Sequence, residues 1–165
     1  IRDVVKGHVF YMDELGFVNG ATDRGEELKK AVICAEWAKS PMQSINYLSC
    51  HDNYTLWDRF IISNSHESED MRIRMNKLAA SILFTAQGIP FFLHGEEFAR
   101  TKISEADGAP VENSYCSPLS VNAIDYDRAE QFSELKAYYK GLIALRRAHK
   151  AFYLDTIDEL SLIHI

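Results

Sequence analysis

Hydrophobic residues recur along the chain at two spacings, helical and extended, and the changes between them mark out its elements. From Gly25 to Lys39, Leu28, Val32, Ala35 and Trp37 fall toward one side with charges opposite, which predicts an amphipathic helix stopped before Pro41. A short apolar strand is expected over Ile45 to Cys50, ending in the polar cluster His51-Asp52-Asn53. The spacing of Met71, Met75, Leu78, Ile82 and Phe84 predicts a second helix over about Asp70 to Ala86, terminated by Gly88. Ile89 to Leu93 is a continuous apolar run of strand length, the pattern of a strand covered on both faces, and His94, Gly95, Glu96 and Glu97 follow at once. A third helix is predicted from about Arg128 to His149, with Phe132, Leu135, Tyr139, Leu142 and Ile143 as its stripe and Asp127 placed to cap it.

Two segments lack such periodicity. Ile1 to Asp23 reads as a short helical turn followed by loop, and Lys102 to Asn122, rich in Ser, Asn, Gly and Pro, is long enough for a loop to be functional or mobile. The order is helix, strand, helix, strand, helix, with crossovers long enough for parallel pairing, so the expected class is α/β. Two strands do not make a barrel, which takes about 250 residues when it is built from eight strand-helix units.

Composition narrows the partners. With 165 residues, 47% of them hydrophobic, the chain can bury one sizeable core. Its 18 Lys and Arg against 24 Asp and Glu give a net charge of -6, and the basic residues form no stripe, which argues against nucleic acid or an anionic membrane surface. No apolar run approaches the roughly 18 residues of a membrane span, and no segment reads as a signal peptide. The three cysteines, Cys34, Cys50 and Cys116, match no CxxC spacing and read as free thiols, a lean toward a reducing, cytoplasmic compartment. The chain opens at Ile1 rather than Met, so a missing N-terminus could carry any address, and neither compartment nor oligomeric state is read from it.

In parallel α/β folds the reactive groups sit at the carboxyl ends of strands. Both expected strands end in candidates: His51, Asp52 and Asn53 on the first, His94, Glu96 and Glu97 on the second. Neighbouring residues of extended backbone point apart, so His51 and Asp52 are expected as two separate contacts to one ligand rather than an internally bonded dyad, or as a strand-end turn in which Asp52 caps the next segment. Glu96 and Glu97 suit the first turn of a helix. A metal at His94 lacks the ligand spacing such a site takes, and no metal or other cofactor is expected. Tyr54, Trp57 and Tyr115 could stack on sugars or simply pack, and Arg100 and Lys102 read as solvated loop charges.

Longer motifs carry a resemblance. The run from Ser44 to Asp58, SINYLSCHDNYTLWD, closely resembles the strand-seven segment of type I pullulanases, debranching members of glycoside hydrolase family 13, with His51-Asp52 as the family's His-Asp signature. Gln87 to Lys102, QGIPFFLHGEEFARTK, is similar to the strand-eight segment, with Gly88, Pro90, Gly95 and Glu97 at the family's positions. Asn113 to Pro118 and Tyr138 to Arg147 resemble the following loop and the eighth helix, and Ile1 to Gly7 the stretch after strand six. The resemblance implies a partial (β/α)8 TIM barrel covering about the last two strand-helix units, with residues 1–154 the C-terminal part of a catalytic barrel.

It also implies an activity, retaining cleavage of α-1,6 linkages in pullulan and limit dextrins, with an α-glucan as partner. The family's Asp nucleophile and Glu acid/base lie on upstream strands that do not occur in this chain, so residues 1–165 alone are expected to be inactive. Asp52 matches the carboxylate that stabilises the transition state through sugar hydroxyls, and His51 the histidine that donates to the same sugar; Asn53 and Tyr115 would be substrate contacts. Leu119 and Ala123 stand where an acid and, in some relatives, an arginine would hold a donor-side glucose, so no charged contact is expected there. Residues 155–165 depart from the family, and Leu160 to Ile165 spell what a transposase-end sequencing adapter encodes in translation; they are expected to be foreign to the fold. Another family 13 debranching enzyme, of isoamylase or glycogen-debranching type, is the nearest alternative. A noncatalytic glycan-binding module using Trp57 and Tyr115 is the alternative from a different class.

Overall fold

The computed structural model describes residues 1–34 and 37–162. In chain order the α-helices are α1 (Arg2–Lys6), α2 (Gly25–Ile33), α3 (Leu56–Ser63), α4 (Glu69–Thr85), α5 (Leu119–Asn122), α6 (Asp127–Gln131), α7 (Ser133–Ala148) and α8 (Ile157–Leu162). The strands β1 (Ile45–Asn46) and β2 (Ile89–Pro90) are separated by α3 and α4 and pair in parallel, Ile45 opposite Ile89 and Asn46 opposite Pro90. Strand pairs that run parallel through intervening helices are the α/β pattern expected from the apolar spacing.

Local chemistry starts the two central helices. Thr55 accepts from the Asp58 N–H at 3.1 Å to cap α3, and Ser68 accepts from the Met71 N–H at 3.2 Å to cap α4, whose first turn carries Glu69 and Asp70. The pairing of β1 with β2 is then set at the far end of α4. Gly88 has φ +90°, and a Cβ there would stand 2.6 Å from the Ser44 carbonyl oxygen. Only glycine lets the chain turn that close to β1, after which the Ile89 N–H donates to Ser44 O at 2.8 Å and the Phe91 N–H to Asn46 O at 2.7 Å. The guanidinium of Arg146 on α7 seals the same corner, donating to the carbonyls of Phe84 and Ala86 at the end of α4 and of Gly88 just before β2.

The core lies where α3, α4 and α7 meet. Leu56, Phe60, Ala79, Ala80 and Leu83 are fully buried, and Phe84 and Phe92 pack edge-on or tilted against Tyr139 of α7 with ring centroids 5.8 Å apart in both pairs. A side chain such as Leu83, removed wholly from water, contributes about 2 kcal/mol.

Several expectations are corrected. The helix begun at Gly25 ends at Ile33, and Trp37 is 72% exposed rather than part of a buried stripe; Ala35 lies outside the described residues. On α4 the buried face holds Met75, Asn76, Ala79, Ala80, Leu83 and Phe84, whereas Met71 and Leu78 are exposed; Asn76 and Phe84 on that face meet Tyr139 of α7. Helix α3 was not foreseen, since its apolar residues follow the His-Asp cluster without a break. The third helix is interrupted at Phe132, whose ring turns in to meet Trp57 at 5.3 Å, and it is Asp125, not Asp127, that accepts an N–H at its start. The strands are shorter than expected, two residues each. Ile45, Ile89 and Phe91 are 64%, 39% and 45% exposed, so the run from Ile89 is not covered on both faces. Leu160 is buried in α8, while Ile163, His164 and Ile165 lie outside the described residues. Among the described residues no helix is long and apolar enough to cross a membrane.

Candidate substrate cleft

Beyond β1 the chain runs through buried Leu48 and Ser49 and then turns sharply over residues 51–53 before Thr55 caps α3. Asn53 takes φ +59°, a left-handed conformation that asparagine tolerates better than most residues. This bend overturns the expectation that His51 and Asp52 point apart. His51 Nε2 and Asp52 Oδ2 approach to 3.5 Å, both side chains largely exposed, because the backbone is not extended there.

A cleft of about 270 Å³ opens beside them, lined by His51, Asp52, Arg100, Lys102, Ser114 and Tyr115 among others. It brings together the end of β1, the segment after β2 and the long loop, so His51, Asp52 and Tyr115 share one site although 64 residues separate the first from the last. Tyr115 is 83% exposed and offers its ring to the cleft. Asn53 does not line it; it borders a small crevice on the other side of Asp52, with Cys50 and Tyr54. Trp57 is buried against Phe132 and belongs to the core, not to a sugar platform. Leu119 and Ala123 are exposed and carry no charge to the neighbouring surface.

The floor of the cleft was misread in the sequence. Lys102 is 3% exposed, not solvated, and its ammonium donates to the His51 carbonyl oxygen at 2.9 Å and to Ser114 Oγ at 2.8 Å. Burial holds its pKa below the ordinary lysine value, with the Arg100 charge adding to that and Asp58 opposing it. Arg100 donates to the carbonyls of His94 at 3.1 Å and Asn122 at 2.6 Å. Asp58, fully buried on α3, accepts from the Thr101 hydroxyl and, at 2.9 Å, from the Lys102 N–H; burial still pushes its carboxyl up. These partners lie more than forty residues apart, so no local spacing could have revealed them.

The second strand end supplies structure rather than open chemistry. Glu96 and Glu97 begin a 3-10 turn, as their suitability for a helix start implied. Glu97 accepts the Gly95 N–H at 2.9 Å. Glu96 is buried, accepts from Ser49 Oγ at 2.5 Å and from the Tyr139 hydroxyl at 3.2 Å, and is pushed up to about 7 by desolvation that those bonds only partly offset. Cys50, His51 and Asp52 do offer one donor atom each within 4.8 Å of one another, a grouping the sequence reading overlooked. Three consecutive donors on an exposed bend provide no closed cage of four, and no metal is assigned. Cys34, Cys50 and Cys116 are free thiols, as expected.

No protein-family profile matches the chain. It is 39% identical, over 96% of its length, to a pullulanase of Bacillus subtilis strain 168, and that match covers 22% of the relative. Among solved structures, pullulanase from Bacillus acidopullulyticus superposes with a TM-score of 0.91 at 37% identity, covering 98% of this chain and 19% of that one. Pullulanase from Anoxybacillus sp. LM18-11, in complex with maltotriose, superposes at 0.88 and 43% identity over 95% of this chain and 22% of that one. The chain therefore spans about a fifth of the length of the relatives it matches. Pullulanases are its homologues, and in sequence as in fold it is similar to a segment of them.

Proposed function

We propose that residues 1–154 are the C-terminal part of the catalytic (β/α)8 barrel of a retaining α-glucan debranching hydrolase that cleaves α-1,6 linkages in pullulan and limit dextrins, with residues 155–165 outside it. Asp52 stabilises the oxocarbenium-like transition state by accepting from hydroxyls of the distorting sugar, and His51 donates to the same ring. Tyr115 gives that sugar or its neighbour an apolar face, and Asn53 holds the bend from which Asp52 projects. The observation that carries this reading is the convergence of both parallel strand ends on one cleft that presents His51, Asp52 and Tyr115. The homologue bound to maltotriose supports an α-glucan as the occupant.

Retention takes two carboxyl groups about 5 to 5.5 Å apart, one attacking and one transferring the proton. Among the described residues lining the cleft, Asp52 is the one carboxylate. As the resemblance to type I pullulanases implies, the nucleophile and acid/base lie on barrel strands upstream of this segment, so residues 1–165 alone are not expected to hydrolyse glucan. The test is the complete protein acting on pullulan, with the anomer released followed by NMR. Initial release of the α-anomer is expected; release of the β-anomer, or no cleavage of pullulan, overturns the reading. Failure on pullulan with activity on glycogen branches would point instead to an isoamylase or glycogen-debranching type of the same family.

A further inference from the structure

The two halves of the cleft come from segments with no strand pairing between them. The His51-Asp52 bend follows β1, and the Ser114-Tyr115 turn belongs to the long loop. Among the described residues one buried side chain bonds to both. We propose that Lys102 is a positioning residue of the glucan site, its ammonium clamping the His51 carbonyl to the Ser114 hydroxyl so that the sugar-binding bend and the Tyr115 loop keep one fixed spacing. This rests on the glucan reading above.

The geometry is built from both sides of the lysine. Its backbone is set by Asp58, whose two carboxylate oxygens accept the Thr101 hydroxyl and the Lys102 N–H, and Asp58 is itself immobilised in the first turn of capped helix α3. Its side chain then reaches His51 O at 2.9 Å and Ser114 Oγ at 2.8 Å. Ser114 passes the constraint on: its hydroxyl donates to Asn122 Oδ1 at 2.8 Å, the Asn122 amide donates to Ser114 O at 2.7 Å, and Arg100 holds the Asn122 carbonyl at 2.6 Å. Every link is a side chain gripping backbone or a short hydroxyl, so the loop has little freedom to drift. Burying an ammonium is costly, and two neutral acceptors do not repay it as a salt bridge would. A stability role alone would be served as well by an apolar residue of the same length. A lysine here makes physical sense if the spacing it enforces is used, since transition-state contacts weaken steeply when a partner moves by about 1 Å.

The experiment is a double-mutant cycle in the complete enzyme, combining Lys102→Met with Asp52→Asn and measuring kcat and KM on pullulan beside the thermal midpoint. Lys102→Met is expected to lower kcat by about 10- to 100-fold. In the Asp52→Asn background the same change should cost less than about 3-fold, because the contact it positions is already gone. Additive losses in the two backgrounds, or a lower thermal midpoint with kcat unchanged, would show an ordinary structural lysine and overturn the proposal. If Lys102→Met does not fold, Ser114→Ala opens only the loop side of the clamp; it is expected to lower kcat/KM by several-fold and to do so less in Asp52→Asn, and an unchanged kcat/KM overturns the proposal. An Asp52→Asn enzyme with normal turnover would instead defeat the glucan-site reading itself, which separates the two failures.

Discussion

In the glucan reading proposed above, Asp52 would set a carboxylate against a sugar ring that becomes positive as it flattens, an interaction a neutral isostere would not make. In the complete enzyme Asp52→Asn should lower kcat by about 10²- to 10³-fold with KM nearly unchanged, and His51→Ala should cost less, as steady-state kinetics on pullulan will show. Glu97 holds the Gly95 N–H and does not line the cleft, so the pH-rate profile of Glu97→Gln should keep both limbs. Glu96 behaves differently because it is buried without a salt-bridge partner, with Lys6 and Glu97 as the charges that act on it. Its folded pKa of about 7 lies above the ordinary 4.5, so the folded state holds the proton more tightly. Its contribution is fully present below about pH 4.5 and is lost as pH rises through 7, up to about 3 kcal/mol. Lys6, lowered from 10.5 to about 8, acts in the opposite sense, its contribution being present above 10.5 and lost as pH falls through 8. Denaturant titrations of the complete protein between pH 4.5 and 7.5 should therefore show stability falling, and Glu96→Gln should flatten that slope; a wild-type slope retained in the variant would assign it to another group.

At the scale of elements, β1 and β2 are only two residues long each, and their alignment depends on the corner between α4 and β2. Gly88→Ala places a Cβ against the Ser44 carbonyl in a backbone region that L-residues avoid, and it should destabilise by at least about 2 kcal/mol in chemical denaturation. Much of this level was legible beforehand. The span of α4, the stop at Gly88 and the apolar run that follows could all be read from spacing, because a helix records its buried face every three to four residues. The face itself was misjudged. Leu78 looked buried because leucine usually is, yet the face that meets α7 carries Asn76, Ser81 and Phe84, which bond or pack against Tyr138 and Tyr139, a choice made by the neighbouring helix rather than by the residue.

Viewed whole, the two-stranded sheet leaves an unpaired edge on each strand among the described residues. Among the described residues β1 and β2 pair only with each other, and Ile45, Ile89 and Phe91 leave apolar surface exposed. Residues 1–165 produced alone should aggregate or bind a hydrophobic dye such as ANS, and any soluble fraction should leave pullulan uncut. Purified chain that hydrolysed pullulan in proportion to its concentration would mean that the catalytic pair lies within it after all.

The sequence by itself determined the alternation of helices with two parallel strands, the candidate polar residues that follow each strand, and the similarity to pullulanases. These are local facts, written in spacing and in contiguous motifs. Only the tertiary structure decided that His51 and Asp52 converge on a bend, that Asn53 stands outside the cleft while Tyr115 lines it, and that Lys102 is buried beneath them. The reason is physical: whether a charge is solvated or clamped depends on atoms contributed from fifty residues away, and neither composition nor periodicity carries information about which distant segment will arrive to surround it.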